Sequence, residues 1–148
     1  MSVSKENKEQ DLAKLIDYFR AGNYSPAKQL ANRLKKNYPK DALILKVLSL
    51  ISFRENNIRA AIEAGLEALV IDDKDPELHN NMGVFFNAVF DFDRSEGYFL
   101  KAIKLKPTFI EARVNYANLL LNTGKIESSI QNFDEILLLD PRNSGLRY

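Results

Sequence analysis

Cysteine and tryptophan are absent from the 148 residues, and histidine occurs once. Without cysteine there can be no disulfide, no thiolate metal site and no thiol nucleophile. A lone imidazole, His79, has no second histidine with which to share a metal. It lies near the start of a helical stretch, where a packing or surface role outweighs an acid–base one. Asp72, Asp73 and Asp75 are interrupted by Lys74 and lack the further ligand spacing of a calcium loop. No glycine-rich phosphate loop and no serine nucleophile elbow occurs. No apolar run approaches the roughly 18 residues needed to cross a bilayer. The opening MSVSKENKEQ is polar where a secretory signal would be apolar. These absences lead us to expect a cytoplasmic, non-catalytic protein with no cofactor, no metal site and no membrane partner.

An excess of charge of one sign is also lacking: the formal net charge is +1. It is unevenly spread, with nine Lys/Arg against four Asp/Glu in residues 1–40 and twelve against sixteen thereafter. The lysines of the basic end are scattered rather than clustered. They read as a solvated outer face, and nucleic acid is not expected as a partner.

What the chain does have is a period. Pro39, Asp73, Pro107 and Pro141 stand 34 residues apart, and the residues ahead of each repeat in type. The column Tyr24, Ile58, Phe92, Ile126 is apolar, and the column Ala27, Ala61, Ser95, Ser129 is small. Leu34, Ala68, Ala102 and Ile136 form another apolar column. A period of this length marks a stacked array of helical hairpins, because one hairpin alone leaves an apolar face in water and needs a neighbour to cover it.

Within each repeat, apolar residues recur at three- and four-residue steps, predicting two helices. The spans are about 8–21 and 24–37, 41–54 and 57–70, 76–89 and 92–105, then 109–122 and 126–138. Gly22, Asn56 and Gly124 lie between paired helices, where a left-handed residue ends the first at little cost. Phe90 stands in the same column of the third repeat. A bulky residue is disfavoured there, so that turn is expected to be built differently. Its ring is expected either to pack into the next repeat or to be exposed beside Phe92. Pro39, Pro107 and Pro141 stop the second helices. Lys14 replaces Leu48, Met82 and Tyr116 of its column, which suits a terminal repeat with one face in water.

The stretch Leu78–Pro107, through Met82-Gly83, Phe86, Ser95, Phe99 and Ala102, resembles a tetratricopeptide repeat. So does Ala112–Pro141, through Tyr116-Ala117, Leu120, Gly124, Ser129, Phe133 and Ile136. Residues 8–39 resemble it more loosely, through Tyr18, Gly22, Ala27 and Pro39, and 42–73 through Leu48, Ala61 and Ala68. The resemblance implies an all-α, right-handed superhelical solenoid of antiparallel helix pairs. It makes residues 1–148 one domain with repeats at about 8–39, 42–73, 76–107 and 110–141, and with 142–148 opening a fifth that is cut off.

The resemblance also implies that the first helices line a concave groove that binds an extended peptide. Carried over by column, the second repeat contributes Lys46, Leu50, Phe53 and Arg54, an apolar anchor flanked by cations. The third contributes Asn80, Asn81, Val84 and Asn87, and the fourth Asn115, Asn118 and Asn122. Asparagine is disfavoured inside helices, yet it crowds one face here, and an amide both donates and accepts. Such a row could pair with the backbone of a bound peptide. It could equally solvate an open wall or join neighbouring helices. The aligned pair Asn81/Asn115 resembles the asparagine ladder of protein N-acetylglucosamine transferases. Chaperone-tail clamps of the family need an asparagine where Leu50 stands and a cation where Glu111 stands, so that ligand is not expected.

Three functions follow as expectations. The first is a scaffold binding a protein or peptide partner in the groove. The others are the substrate-recognition arm of a larger protein-modifying transferase and a structural, self-associating module. Ile130, Leu137 and Leu121 are expected to be partly bare at an uncapped C-terminal end, through which the chain could self-associate.

Overall fold

The structure, a computed structural model, describes residues 5–142. Those residues form eight α-helices: α1 Lys5–Arg20, α2 Tyr24–Asn37, α3 Ala42–Arg54, α4 Ile58–Ile71, α5 Pro76–Ala88, α6 Phe92–Leu105, α7 Ile110–Asn122 and α8 Ile126–Leu139. Each lies within a few residues of the span its apolar periodicity predicts. The proposed opening of a fifth repeat falls, beyond Arg142, outside the described residues.

Local chemistry sets the boundaries. Asp41 caps α3 by accepting from the N–H groups of Leu43 and Ile44 at 3.0 and 3.2 Å. Asn57 caps α4 through Ala60 at 3.1 Å, and Asp75 caps α5 through Glu77 at 2.9 Å. These contacts satisfy amide groups that have no intrahelical partner. Pro76 opens α5 where its missing N–H costs nothing.

All four hairpins turn by one device. Gly22 donates to the Phe19 carbonyl and Asn23 to that of Tyr18; the same pair of bonds recurs 34, 68 and 102 residues on, ending with Gly124 to Leu121 and Lys125 to Leu120. The turning residue is left-handed each time, with φ of 77° at Gly22, 61° at Asn56, 62° at Phe90 and 80° at Gly124. Paired bonds of this kind satisfy the last carbonyls of the first helix. The third turn is therefore not built differently, contrary to the sequence expectation. Phe90 takes the left-handed conformation despite its Cβ, at a cost of roughly 1–2 kcal/mol, because the two turn bonds and the packing of α5 on α6 require it.

The chain divides into two compact bodies, Met1–Asp73 and Lys74–Tyr148, each holding two repeats. In the first, the core joins Leu15 of α1, Leu34 of α2 and Ile44, Val47 and Ile51 of α3. Lys8 pairs with Asp41 at 2.7 Å, holding α1 to the start of α3. Partial burial pushes the Asp41 carboxyl up. The Lys8 hydrogen bond, the Ile44 N–H, the Lys8 charge and the Leu43 N–H outweigh it and hold the pKa below its ordinary value. Lys14 stays exposed, its ammonium 5.7 Å from the Tyr18 ring centroid.

The second body buries Leu78, Met82 and Phe85 of α5, Phe99 and Ala102 of α6, Ala117 and Leu120 of α7 and Ile136 of α8. Its small columns are contact points. A Cβ on Gly83 would lie 2.5 Å from two atoms of the Phe99 ring, so only glycine lets that ring sit on the helix. Ser95 donates to the Gly83 carbonyl at 2.7 Å, and Ser129 makes the same bond to Ala117 at 2.8 Å. Both serines are buried, so each hydroxyl needs its partner.

Candidate functional site

The asparagine face lies within the second body, on α5 and α7. Residues 80, 84 and 87 share one side of α5, and 115, 118 and 122 share one side of α7, by the three- and four-residue spacing of a helix. The structure divides these asparagines into two sets.

Asn80 is 1% exposed. Its Nδ2 donates to Glu111 Oε1 at 3.3 Å, and its Oδ1 accepts from Asn115 Nδ2 at 3.0 Å. A buried amide with both ends paired joins α5 to α7 and presents nothing to a ligand. Asn115 is half-buried beside it. Of the three uses open for asparagines here, Asn80 therefore takes the one of joining neighbouring helices. Glu111, whose charge argues against a carboxylate ligand, completes the same network.

Asn81, Asn87, Asn118 and Asn122 are different. Asn118 and Asn122 are exposed, while Asn81 and Asn87 are half-buried. Their side-chain amides make no hydrogen bond among the described residues. Val84 lies between them on α5, half-buried, and Leu121 on α7 is 49% exposed. The face thus offers donors and acceptors in pairs, with aliphatic groups between. Nothing on it is arranged for proton transfer or nucleophilic attack. Among the described residues, no group of three or more His, Cys, Asp or Glu could hold a metal ion.

In the first body, Lys46, Leu50 and Phe53 of α3 are half-buried and Arg54 is exposed. That leaves a cation at the C-terminal end of α3 next to partly exposed apolar side chains.

Also on α7, Tyr116 donates to Glu96 Oε1 at 3.3 Å, and Lys125 donates to the other oxygen of Glu96 at 3.3 Å. Burial, then the charge and hydrogen bond of Glu96, push the Tyr116 phenol up, so it stays neutral. His79 is buried near Tyr98, ring centroids 6.0 Å apart, and Tyr98 stacks on Phe86 at 5.5 Å. The histidine is a packing residue of this aromatic column. No helix among the described residues is long and apolar enough to cross a membrane.

This geometry can be set beside known proteins. A tetratricopeptide-repeat model matches residues 98–131, from the middle of α6 through α7 into α8. PilF of Pseudomonas aeruginosa superposes with a TM-score of 0.86 at 20% identity, over 95% of this chain and 64% of that one. MamA of Desulfovibrio magneticus RS-1 gives 0.83 at 13% identity, over 95% of this chain and 79% of that one. The BBSome complex member BBS4 of Xenopus tropicalis is 29% identical over 102 residues, which is 69% of this chain and 20% of the relative. The chain thus spans about a fifth of the curated relative it matches. It is similar to tetratricopeptide-repeat proteins and has the all-α helical-repeat fold of these structures. That fold is in general a module for protein–protein interaction.

Proposed function

We propose that this protein is a non-catalytic scaffold that binds an extended peptide segment of a partner along its first-helix faces. The observation that carries the reading is the set of four amides, on Asn81, Asn87, Asn118 and Asn122, without a hydrogen-bond partner among the described residues. Helix interiors disfavour asparagine, and four lie along or beside one face of α5 and α7 without a hydrogen bond to offset that. They suit a ligand whose backbone donates and accepts along its length, while Val84 and Leu121 take its apolar side chains. Asn80 and Asn115 act from behind, fixing α7 against α5. Lys46, Leu50, Phe53 and Arg54 offer a separate contact surface, for an apolar residue beside an acid.

A peptide array probed with wild-type protein and with Asn118→Ala and Asn122→Ala variants tests this. Each variant is expected to weaken the bound spots by about fivefold, for one hydrogen bond of roughly 1 kcal/mol. Binding that ignores both substitutions contradicts the reading.

In a second reading, the same face presents protein substrates to a transferase domain outside this sequence. It is favoured by Asn81, whose amide is without a hydrogen bond among the described residues, and by the fold shared with Thermobaculum terrenum O-GlcNAc transferase, at a TM-score of 0.78 and 18% identity. Self-association has its own surface. Ile126, Ile130 and Leu138 of α8 are 55%, 44% and 82% exposed. Light scattering is expected to show a dimer that Ile130→Glu converts to a monomer; a monomeric wild-type protein contradicts it.

A further inference from the structure

Four hairpin turns share one backbone geometry, and three of them carry the residues that geometry favours: Gly22, Asn56 and Gly124. The fourth carries Phe90, and the ring gains almost no burial in exchange, being 78% exposed. The turn bonds and packing hold the strain in place, and residues strained in this way cluster at binding and catalytic sites. Val89 beside it is 45% exposed and Phe92 36%. The Phe90 and Phe92 rings meet edge to face with centroids 6.2 Å apart. Three apolar side chains therefore stand together at the tip of the α5–α6 hairpin, around a shallow depression that Asp91 and Asp93 also line.

The rim is acidic. Asp91 accepts from the Arg94 N–H at 3.2 Å, and its carboxylate lies 3.6 Å from Arg94 Nη1. The Arg94 guanidinium also leans over the Phe86 ring, 5.5 Å from its centroid. Asp93 is exposed and makes no ion pair among the described residues. A bare carboxylate next to two exposed rings suits one kind of ligand group. It is a lysine or arginine whose aliphatic stem lies on the rings while its charge meets Asp93 and the face of Phe90.

We propose that the Val89–Asp93 turn is a second docking surface, whose occupant is a basic, lysine- or arginine-bearing segment of a partner protein. Charge complementarity selects that occupant, since the bare Asp93 carboxylate attracts a cation and repels an anionic membrane. The surface does not depend on the asparagine face and can be tested apart from it.

The probe is a fluorescein-labelled octapeptide alternating lysine and leucine, titrated by fluorescence anisotropy. A counterpart alternating glutamate and leucine is the control. Phe90→Gly and Phe90→Asn both fit the left-handed turn, so each is expected to melt at or above the wild-type temperature while weakening the basic peptide about tenfold. Asp93→Asn is expected to weaken it severalfold, more so at low salt. Four results would each overturn the proposal. They are Phe90→Gly binding as tightly as wild type, a lower melting temperature for both Phe90 variants, equal binding of the acidic peptide, and no saturation at millimolar basic peptide. A dimer of the wild-type chain that dissolves in Phe90→Gly would put a second copy on the surface and overturn it as well.

Discussion

Gly83 and Phe90 show how one side chain opposes the average preference of its site. Alanine is the better helix former by about 1 kcal/mol, yet at position 83 its Cβ would meet the Phe99 ring at 2.5 Å. Phe99 is 2% exposed and has nowhere to swing. Gly83→Ala is therefore expected to destabilise the protein by about 1–3 kcal/mol, the usual cost of overpacking, as read by urea denaturation. Phe90→Gly is the mirror case, a gain of about 1 kcal/mol from relieving the turn. Asp41 adds a dependence on pH. Its carboxyl is held below the ordinary range in the folded state, so the stability it contributes is fully present above the unfolded pKa of about 3.9. That stability is lost as pH falls through the lower folded value. Asp41→Asn should consequently flatten the acid limb of the stability curve below about pH 4, leaving the neutral limb lower by about 1 kcal/mol or less.

Elements were the most legible scale. All eight helices follow from the apolar spacing, and the small columns mark where helices of a pair approach. Ser95 and Ser129 show what a column conceals: each ties α6 or α8 to the first helix of its pair, while Ala27 and Ala61 at the same places cannot. Ser95→Ala is expected to cost about 0.5–1.5 kcal/mol, measured by thermal unfolding, and replacing both serines should be nearly additive. The Phe90 turn was misjudged because residue preference is a local term of about 1–2 kcal/mol. Turn bonds and hairpin packing together exceed it. The asparagine face was legible as a face but not in its division. Asn80 and Asn81 are neighbours in sequence, and a rotation of one residue separates a buried tie between helices from a half-buried amide. Only the approach of Glu111 and Asn115 decides between them. The exposure of Phe90 and Val89 was equally beyond the pattern, since an apolar residue beside a turn is as often covered as bare.

At the scale of the whole molecule the fold is a support, and the proposed role leaves the first-helix faces for recognition. The repeats supply regular helices, buried columns hold the pairs together, and the Asn80–Asn115 bond fixes the spacing of α5 and α7 behind the asparagines. Side-chain amide resonances of Asn81, Asn87, Asn118 and Asn122 report on the binding claim directly. Titrating in a peptide chosen from the array should move those four NH2 pairs together and slow their hydrogen exchange, while Asn80 stays where it is. If the peptide binds and those amides do not respond, the asparagine face is not the binding surface.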